Sequence, residues 1–100
     1  MTNILTTEPL YIDTASTTVP IIESGILASV QRIGILASAD GQRFTLREGS
    51  GTGNIVFDFI SNSGERNGEF VSPIRTTRGL FVSELTAGLT ARLYMHNGAI

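Results

Sequence analysis

Few side chains of this sequence could carry catalytic or metal chemistry, and they form no recognisable pattern. His96 is the single histidine, and a Ser-His-Asp triad would have to use it, yet no Gly-x-Ser-x-Gly turn is present to expose a serine. A zinc site needs three or four nitrogen or sulfur ligands, while the chain has one histidine and no cysteine. We therefore interpret His96 as a surface or interface residue.

Carboxylates are the other groups suited to acid–base work, since two of them placed across a glycosidic bond can hydrolyse it. No spacing in the chain singles out such a pair, and most of the acids fall in turns or on the outer faces of predicted strands. We interpret them as solubilising surface groups. The acids are Glu8, Asp13, Glu23, Asp40, Glu48, Asp58, Glu65, Glu69 and Glu84.

The glycine-rich stretch at residues 49–53 (GSGTG) has only a superficial likeness to a phosphate-binding loop. Such a loop ends in Lys followed by Ser or Thr and leads into a helix, whereas this chain has no lysine and a β-type run follows. We predict a hairpin connection here. The residues as a whole predict a protein that is not an enzyme, with no catalytic, cofactor-binding or metal-binding residues and no small-molecule substrate.

The composition predicts one folded domain with a thin core. A chain of 100 residues that is 41% hydrophobic can bury enough surface for one core. Because there is no cysteine, no disulfide can reinforce that core. Small domains of this kind often gain stability by oligomerisation, so we expect a homo-oligomer.

Charge and hydropathy argue against nucleic-acid and membrane partners. The net charge is −2 and the bases are scattered, so the basic stripe of a nucleic-acid-binding protein is missing. All seven bases are Arg, which suits protein interfaces, although codon bias would give the same result. No run approaches the roughly 20 apolar residues of a membrane helix, and no signal peptide is visible, which predicts synthesis in a cytoplasm.

Short runs rich in Val, Ile, Phe, Tyr and Thr, separated by glycine turns, predict an all-β fold. Runs spaced by about 8–12 residues are typical of an antiparallel β-sandwich or barrel. We expect a jelly-roll-like sandwich of about seven or eight strands. The runs are residues 30–37, 43–48, 55–60, 70–75, 80–85 and 90–96.

One segment, residues 25–38, combines helical and strand features. Its apolar spacing partly matches a helix, but Gly34 interrupts it, and Ile and Val are its commonest apolar residues. Strict strand alternation also fails, because Val30 and Ile33 have opposite parity. A strand with a bulge near residues 31–32 reconciles these observations.

Turn residues and strand parity predict the connections and the core. The Asp-Gly pair within residues 38–42 suits a turn that needs positive φ, so we expect a hairpin there. The last run places Arg92, Tyr94 and His96 on its outer face. The predicted core consists of Ile33, Ile35, Phe44, Leu46, Ile55, Phe57, Phe59, Leu80, Val82, Leu93 and Met95.

Residues 1–22 differ in texture from residues 23–100, which we expect to form the sandwich domain. The segment is rich in Thr, and Pro9 and Pro20 favour extended backbone before them. We expect an extended N-terminal arm with a short strand at residues 10–12, the second half of which docks through apolar side chains on a neighbouring subunit. A loose terminal tail is the alternative. The polar stretch at residues 61–69 is expected to be either a recognition loop or a solvated connection between sheets.

Glycine positions and hydrophobic spacing over about residues 25–95 carry a family resemblance. In order, the elements are residues 25–30 (GILASV), residues 40–46 (DGQRFTL), the Gly/Ser loop, the strand after Pro73, residues 79–83 (GLFVS) and residues 91–94 (ARLY). The sequence resembles the small β-sandwich virion proteins of tailed bacteriophages, in particular capsid decoration (cement) proteins.

The resemblance implies a structural virion protein that is made in the host cytoplasm and binds the outside of the capsid. Its partner would be the major capsid protein, and binding to the assembled shell would stabilise it by mass action. A homotrimer is favoured because its symmetry matches the threefold junctions of an icosahedral shell.

Two alternatives remain open. Similar modules occur in phage tails and fibres, so the chain could be a tail, knob or fibre subunit in host adsorption or glycan binding. A carbohydrate-binding module would need exposed aromatic platforms, for which Tyr11, Tyr94 and Phe81 or Phe70 are the candidates.

Overall fold

The computed structural model describes residue 3, residues 9–62 and residues 67–95. Within these ranges every regular secondary-structure element is a β-strand, so the prediction of an all-β fold is confirmed. The strands are β1 (Leu10–Ile12), β2 (Ala28–Leu36), β3 (Arg43–Glu48), β4 (Asn54–Ile60), β5 (Asn67–Thr76), β6 (Leu80–Leu85) and β7 (Thr90–Met95).

These strands form two antiparallel sheets. Sheet A has the order β1-β7-β2-β5 and sheet B the order β4-β3-β6. A short segment before β2 extends sheet B beside β6, since the Ile21 N–H donates to the Leu80 carbonyl at 2.8 Å and the Leu80 N–H donates to the Ile22 carbonyl at 2.9 Å. Among consecutive strands only β3 and β4 pair with each other. The order is compatible with the expected jelly-roll-like connectivity, which stays an interpretation.

Both sheets contribute to one hydrophobic cluster between them. Phe70 of sheet A contacts two rings of sheet B, with centroid distances of 5.3 Å to Phe59 and 6.0 Å to Phe57. Phe57 is partly buried and packs against the cluster. Nine predicted core residues are confirmed as buried: Ile33, Ile35, Phe44, Leu46, Phe59, Leu80, Val82, Leu93 and Met95.

The prediction that Ile55 lies in the core is wrong, because 47% of its surface is exposed. The register of β3 and β4 shifts, so that Leu46 lies opposite Phe57 while Arg47 lies opposite Ile55. This bulge breaks the alternation on which the prediction depended, since residues directly opposite in an antiparallel pair share a face. Ile55 therefore lies on the face of Arg47.

The bulge predicted in β2 is confirmed. The pairing of β2 with both of its neighbours shifts between Val30 and Arg32. Because the extra residue restores the inward direction, Val30 and Ile33 are both buried despite their opposite parity.

The predicted hairpin at residues 38–42 is wrong, although the turn itself is present. Gly41 has a φ of 77°, as the Asp-Gly pair suggested, but β2 belongs to sheet A and β3 to sheet B. The turn therefore connects the two sheets. The hairpin predicted at residues 49–53 is confirmed, since β3 and β4 pair. A side chain at Gly51 would overlap the backbone of Thr17, which explains a glycine there.

The described part of the expected arm belongs to the sandwich of its own chain. Leu10 and Ile12 are buried in the cluster, and β1 pairs with β7 so that Ile12 lies opposite Ala91. Farther along, the Ser16 N–H donates to the Val82 carbonyl at 2.9 Å. Residues 1, 2 and 4–8 lie outside the described ranges. A contact of this segment with a neighbouring subunit stays a prediction.

Candidate binding surface

The outer face of sheet A carries a row of residues across all four strands. In register, Tyr11 lies opposite Arg92, Arg92 opposite Gly34, and Gly34 opposite Glu69. Adjacent strands are about 4.8 Å apart, so the row spans about 14 Å. We call this surface the sheet A face and define it by Tyr11, Arg32, Gly34, Leu36, Glu69, Val71, Arg92 and Tyr94.

Arg32 is held between an aromatic ring and a carboxylate on this face. Its guanidinium carbon lies 4.2 Å from the centroid of the Tyr94 ring, and its Nη1 donates to Oε1 of Glu69 at 2.8 Å. The cation–π contact and the ion pair both orient the guanidinium. The pair also neutralises the carboxylate of Glu69.

Arg92 is placed differently. Its guanidinium carbon lies 5.9 Å from the centroid of the Tyr11 ring, and its side chain is exposed. Within residues 9–62 and 67–95 it forms no ion pair. The described part of the sheet A face therefore presents one cation without a carboxylate partner.

Between these side chains the surface sinks into a shallow depression of about 260 Å³. Gly34 lies at its floor, because β2 has no side chain there, and we call it the Gly34 depression. A Cβ at Gly34 would meet Cε1 of Tyr94 at 3.6 Å and Cγ of Glu69 at 3.9 Å, which are ordinary contacts. The lining residues are Gly34, Ile35, Leu36, Gly68, Glu69, Arg92 and Tyr94.

The outer face of sheet B is also charged, and its arginines are held by hydrogen bonds. Arg47 donates to Ser83 Oγ at 3.0 Å and to the Gly53 carbonyl at 2.8 Å. Arg43 donates to both carboxylate oxygens of Asp58, at 3.0 Å from Nε and 2.7 Å from Nη2, and Thr45 Oγ1 donates to Asp58 at 2.9 Å. The hydrogen bond from Arg43 is the largest cause that lowers the pKa of Asp58 below its ordinary value of 3.8, with a smaller opposing effect of burial. Glu84 lies 3.9 Å from the Nε of Arg43.

A third surface lies where the edge strands β4 and β5 are stacked on each other. Both strands end their sheets, and the contacts of Phe70 with Phe57 and Phe59 place them side by side. These edge strands expose three large aliphatic side chains. Ile55 and Ile60 lie on the outer face of sheet B, and Val71, at 83% exposure, lies on the outer face of sheet A, so the three flank the stacked edges from both faces. We call this surface the β4–β5 side.

Most of the residues named from the sequence lie within the described ranges. The predicted outward direction of Arg92 and Tyr94 is confirmed, since Leu93 and Met95 are buried on the other face. Of the carboxylates, Asp58, Glu69 and Glu84 lie beside arginines. His96, Glu8 and Glu65 lie outside the described residues, as do residues 63–66 of the polar stretch.

Sequence reasoning missed the Gly34 depression, because it depends on the pairing of β2 with β5 and β7. The available signal was a lone glycine inside a strand-like run, which often marks a close approach or an open surface.

The described ranges hold no group of three or more His, Cys, Asp or Glu side chains arranged for a metal ion. A helix long and apolar enough to cross a membrane is also missing from the part of the chain that the structure describes.

No protein-family model, curated protein or solved structure matches this chain.

Proposed function

We propose that this chain is a structural virion protein of the capsid decoration type, which binds the outer surface of a tailed-phage shell as an oligomer. The observation that carries the proposal is the exposure of aliphatic side chains on two stacked edge strands, above all Val71 at 83%. Exposed edges with apolar side chains are sites of association unless they are covered. A second copy of the chain or a shell subunit would cover the β4–β5 side.

The remaining surfaces support a role in binding. The sheet A face combines Arg and Tyr side chains, the residue types enriched at the energetic centres of protein interfaces. Arg32 is oriented by Tyr94 and Glu69, so little side-chain entropy would be lost when a partner packs against it. The face and the β4–β5 side share Val71 on β5, so a partner seated over Val71 would contact both surfaces.

The mechanism of reinforcement follows from linkage. A protein that binds the assembled shell but not its separated subunits stabilises the assembly. An oligomer that contacts several shell subunits at once gains avidity from modest single-site affinities. A trimer at threefold junctions satisfies this geometry, and the major capsid protein is then the partner.

The test compares virions that carry the protein with virions that lack it. Release of the genome is followed with a DNA-binding dye during heating and after osmotic shock. We expect particles without the protein to release DNA at a lower temperature and to recover when purified protein is added back. Equal robustness of the two particles would overturn the proposal.

A tail, knob or fibre subunit is the second candidate. Tyr11 and Tyr94 on the sheet A face are half-buried aromatic side chains next to charged groups, and aromatic side chains are the residue type on which a sugar ring can stack. In the same comparison, particles that stay robust but fail to adsorb to host cells would favour this function.

A further inference from the structure

We propose that the Gly34 depression binds a carboxylate of a partner protein, presented by an acidic side chain with apolar neighbours. The site goes beyond the proposed function, because it assigns a surface and a ligand chemistry. Only the identification of the partner with the shell protein rests on that function.

Arg92 supplies the charge for this site. Glu69, which lines the depression, is already paired with Arg32 at 2.8 Å. Two arginines against one glutamate leave the face a net charge of +1, on a chain whose net charge is −2. An incoming carboxylate can therefore take a charge-assisted, two-pronged hydrogen bond from the guanidinium of Arg92.

Size and shape fit an acidic side chain. The depression, at about 260 Å³, is several times larger than the ~30 Å³ that one water molecule takes in the liquid. This accommodates the methylene stem and carboxylate of Glu. The Tyr94 ring, held by Arg32, forms a wall against which the stem can pack.

The surroundings favour a protein over an acidic sugar. Leu36, which lines the depression, is 48% exposed, and Val71, on the same face but outside the lining, is 83% exposed. These two aliphatic side chains can pack against Leu, Val or Ile beside the acidic residue of a peptide segment. The hydroxyl groups of a sugar would instead lose water there without finding hydrogen-bond partners.

The test is a titration of the isotope-labelled full chain with acetyl-Val-Glu-Leu-amide, followed by two-dimensional NMR of the backbone amides. The neutral peptide acetyl-Val-Gln-Leu-amide and the sugar acid N-acetylneuraminic acid serve as the comparison probes. We expect shifts centred on Gly34 and Arg92 with the acidic peptide, and at least about tenfold weaker binding of the neutral one, as the loss of a charged hydrogen bond implies.

Two variants locate the site. Arg92→Gln removes the cation, and Gly34→Ala fills the floor with a methyl group that has room at 3.6 Å from Tyr94, so both are expected to fold and to lose about tenfold in affinity. Arg78→Gln removes the same charge at an exposed position between β5 and β6 and should bind normally.

Three results would overturn the site: no shifts with the acidic peptide, equal loss in Arg78→Gln, or binding of N-acetylneuraminic acid in place of the peptide. The last result would assign the depression to a glycan. None of these experiments uses virions, so the site can fail while the shell-binding function stands, and the reverse.

Discussion

Gln42 and Ser61 are joined by reciprocal hydrogen bonds at one end of the sandwich. The Gln42 N–H donates to Ser61 Oγ at 2.9 Å, and the Ser61 N–H donates to the Gln42 carbonyl at 2.8 Å. The buried side chain of Gln42 also accepts from the Ser38 N–H at 2.8 Å and donates to the Ala87 carbonyl at 2.9 Å. This network ties together the connections β2–β3, β4–β5 and β6–β7.

Replacing the side-chain amide of Gln42, which donates to the Ala87 carbonyl, should destabilise the fold. Gln42→Glu keeps the size of the side chain but sets a carboxylate oxygen against the Ala87 carbonyl. We expect the free energy of unfolding to fall by about 2–3 kcal/mol, because a buried acceptor is left without a donor. Urea unfolding measures this, with Gln31→Glu at an exposed position as the control. Equal stability of both variants would show that the network contributes little.

The Arg43–Asp58 pair predicts a specific response to acid. The pKa of Asp58 is lowered in the folded state, chiefly by the hydrogen bond from Arg43. Its contribution to stability is therefore complete above the ordinary value of 3.8 and is lost as the pH falls through the folded pKa. We expect Asp58→Asn to cost about 1 kcal/mol at pH 7, since the pair is partly exposed, and less at pH 3.

Urea unfolding at the two pH values tests this, with Glu69→Gln as the matched variant. The Arg32–Glu69 pair has one contact and more exposed side chains, at 44% and 53%, so its loss should change stability less at pH 7. A cost of Asp58→Asn that is the same at pH 7 and pH 3 would contradict the assignment.

Core substitutions should separate full from partial burial. Phe44 is fully buried, and Phe44→Ala is expected to cost about 3–5 kcal/mol. Phe57 packs at the margin of the cluster, so Phe57→Ala should cost less, about 1–3 kcal/mol. Thermal unfolding ranks the two against Ile60→Ala, at an exposed position. A larger loss for Phe57→Ala would place the centre of the core elsewhere.

The sequence predicted those features that depend on neighbouring residues. Parity identified the inward faces of β3 and β7, and the conflict between Val30 and Ile33 was enough to predict the bulge in β2. The prediction for Ile55 failed for the same reason. Residues 55–59 show no conflict of parity, so nothing in the sequence indicated the bulge in β4. The alternation of side chains along a strand predicts which face each one occupies only as far as the strand pairing continues without a bulge.

Features that depend on distant pairing were not predictable. The turn at Gly41 reports a local reversal of the chain, and nothing local tells which sheet the next strand joins. The same holds for the Gly34 depression, where Glu69 and Arg92 come from strands that are far apart in sequence. Likewise, the burial of Ile12 depends on its pairing with β7, which lies near the other end of the chain.

The β4–β5 side predicts the effect of charge on self-association. Val71→Lys places a charge on the edge strand, a common device against edge-to-edge contact, and should shift the oligomer toward monomers. The monomer should keep its fold, because Val71 is 83% exposed. Analytical ultracentrifugation measures the shift. Val19→Lys, at an exposed position outside the strands, is the control and should stay oligomeric.

Two results would contradict this assignment of the interface. One is a wild-type chain that sediments as a monomer at all accessible concentrations. The other is a Val71→Lys variant that sediments with the same oligomer size as the wild type.

The most direct test of the central proposal is to count copies of this chain in purified virion parts. Tailless heads and isolated tails would be separated and analysed by quantitative mass spectrometry against the major capsid protein. We predict many copies in the heads, in a fixed ratio to the shell subunit, and none in the tails. Absence from the heads, or a few copies confined to the tails, would contradict a decoration protein.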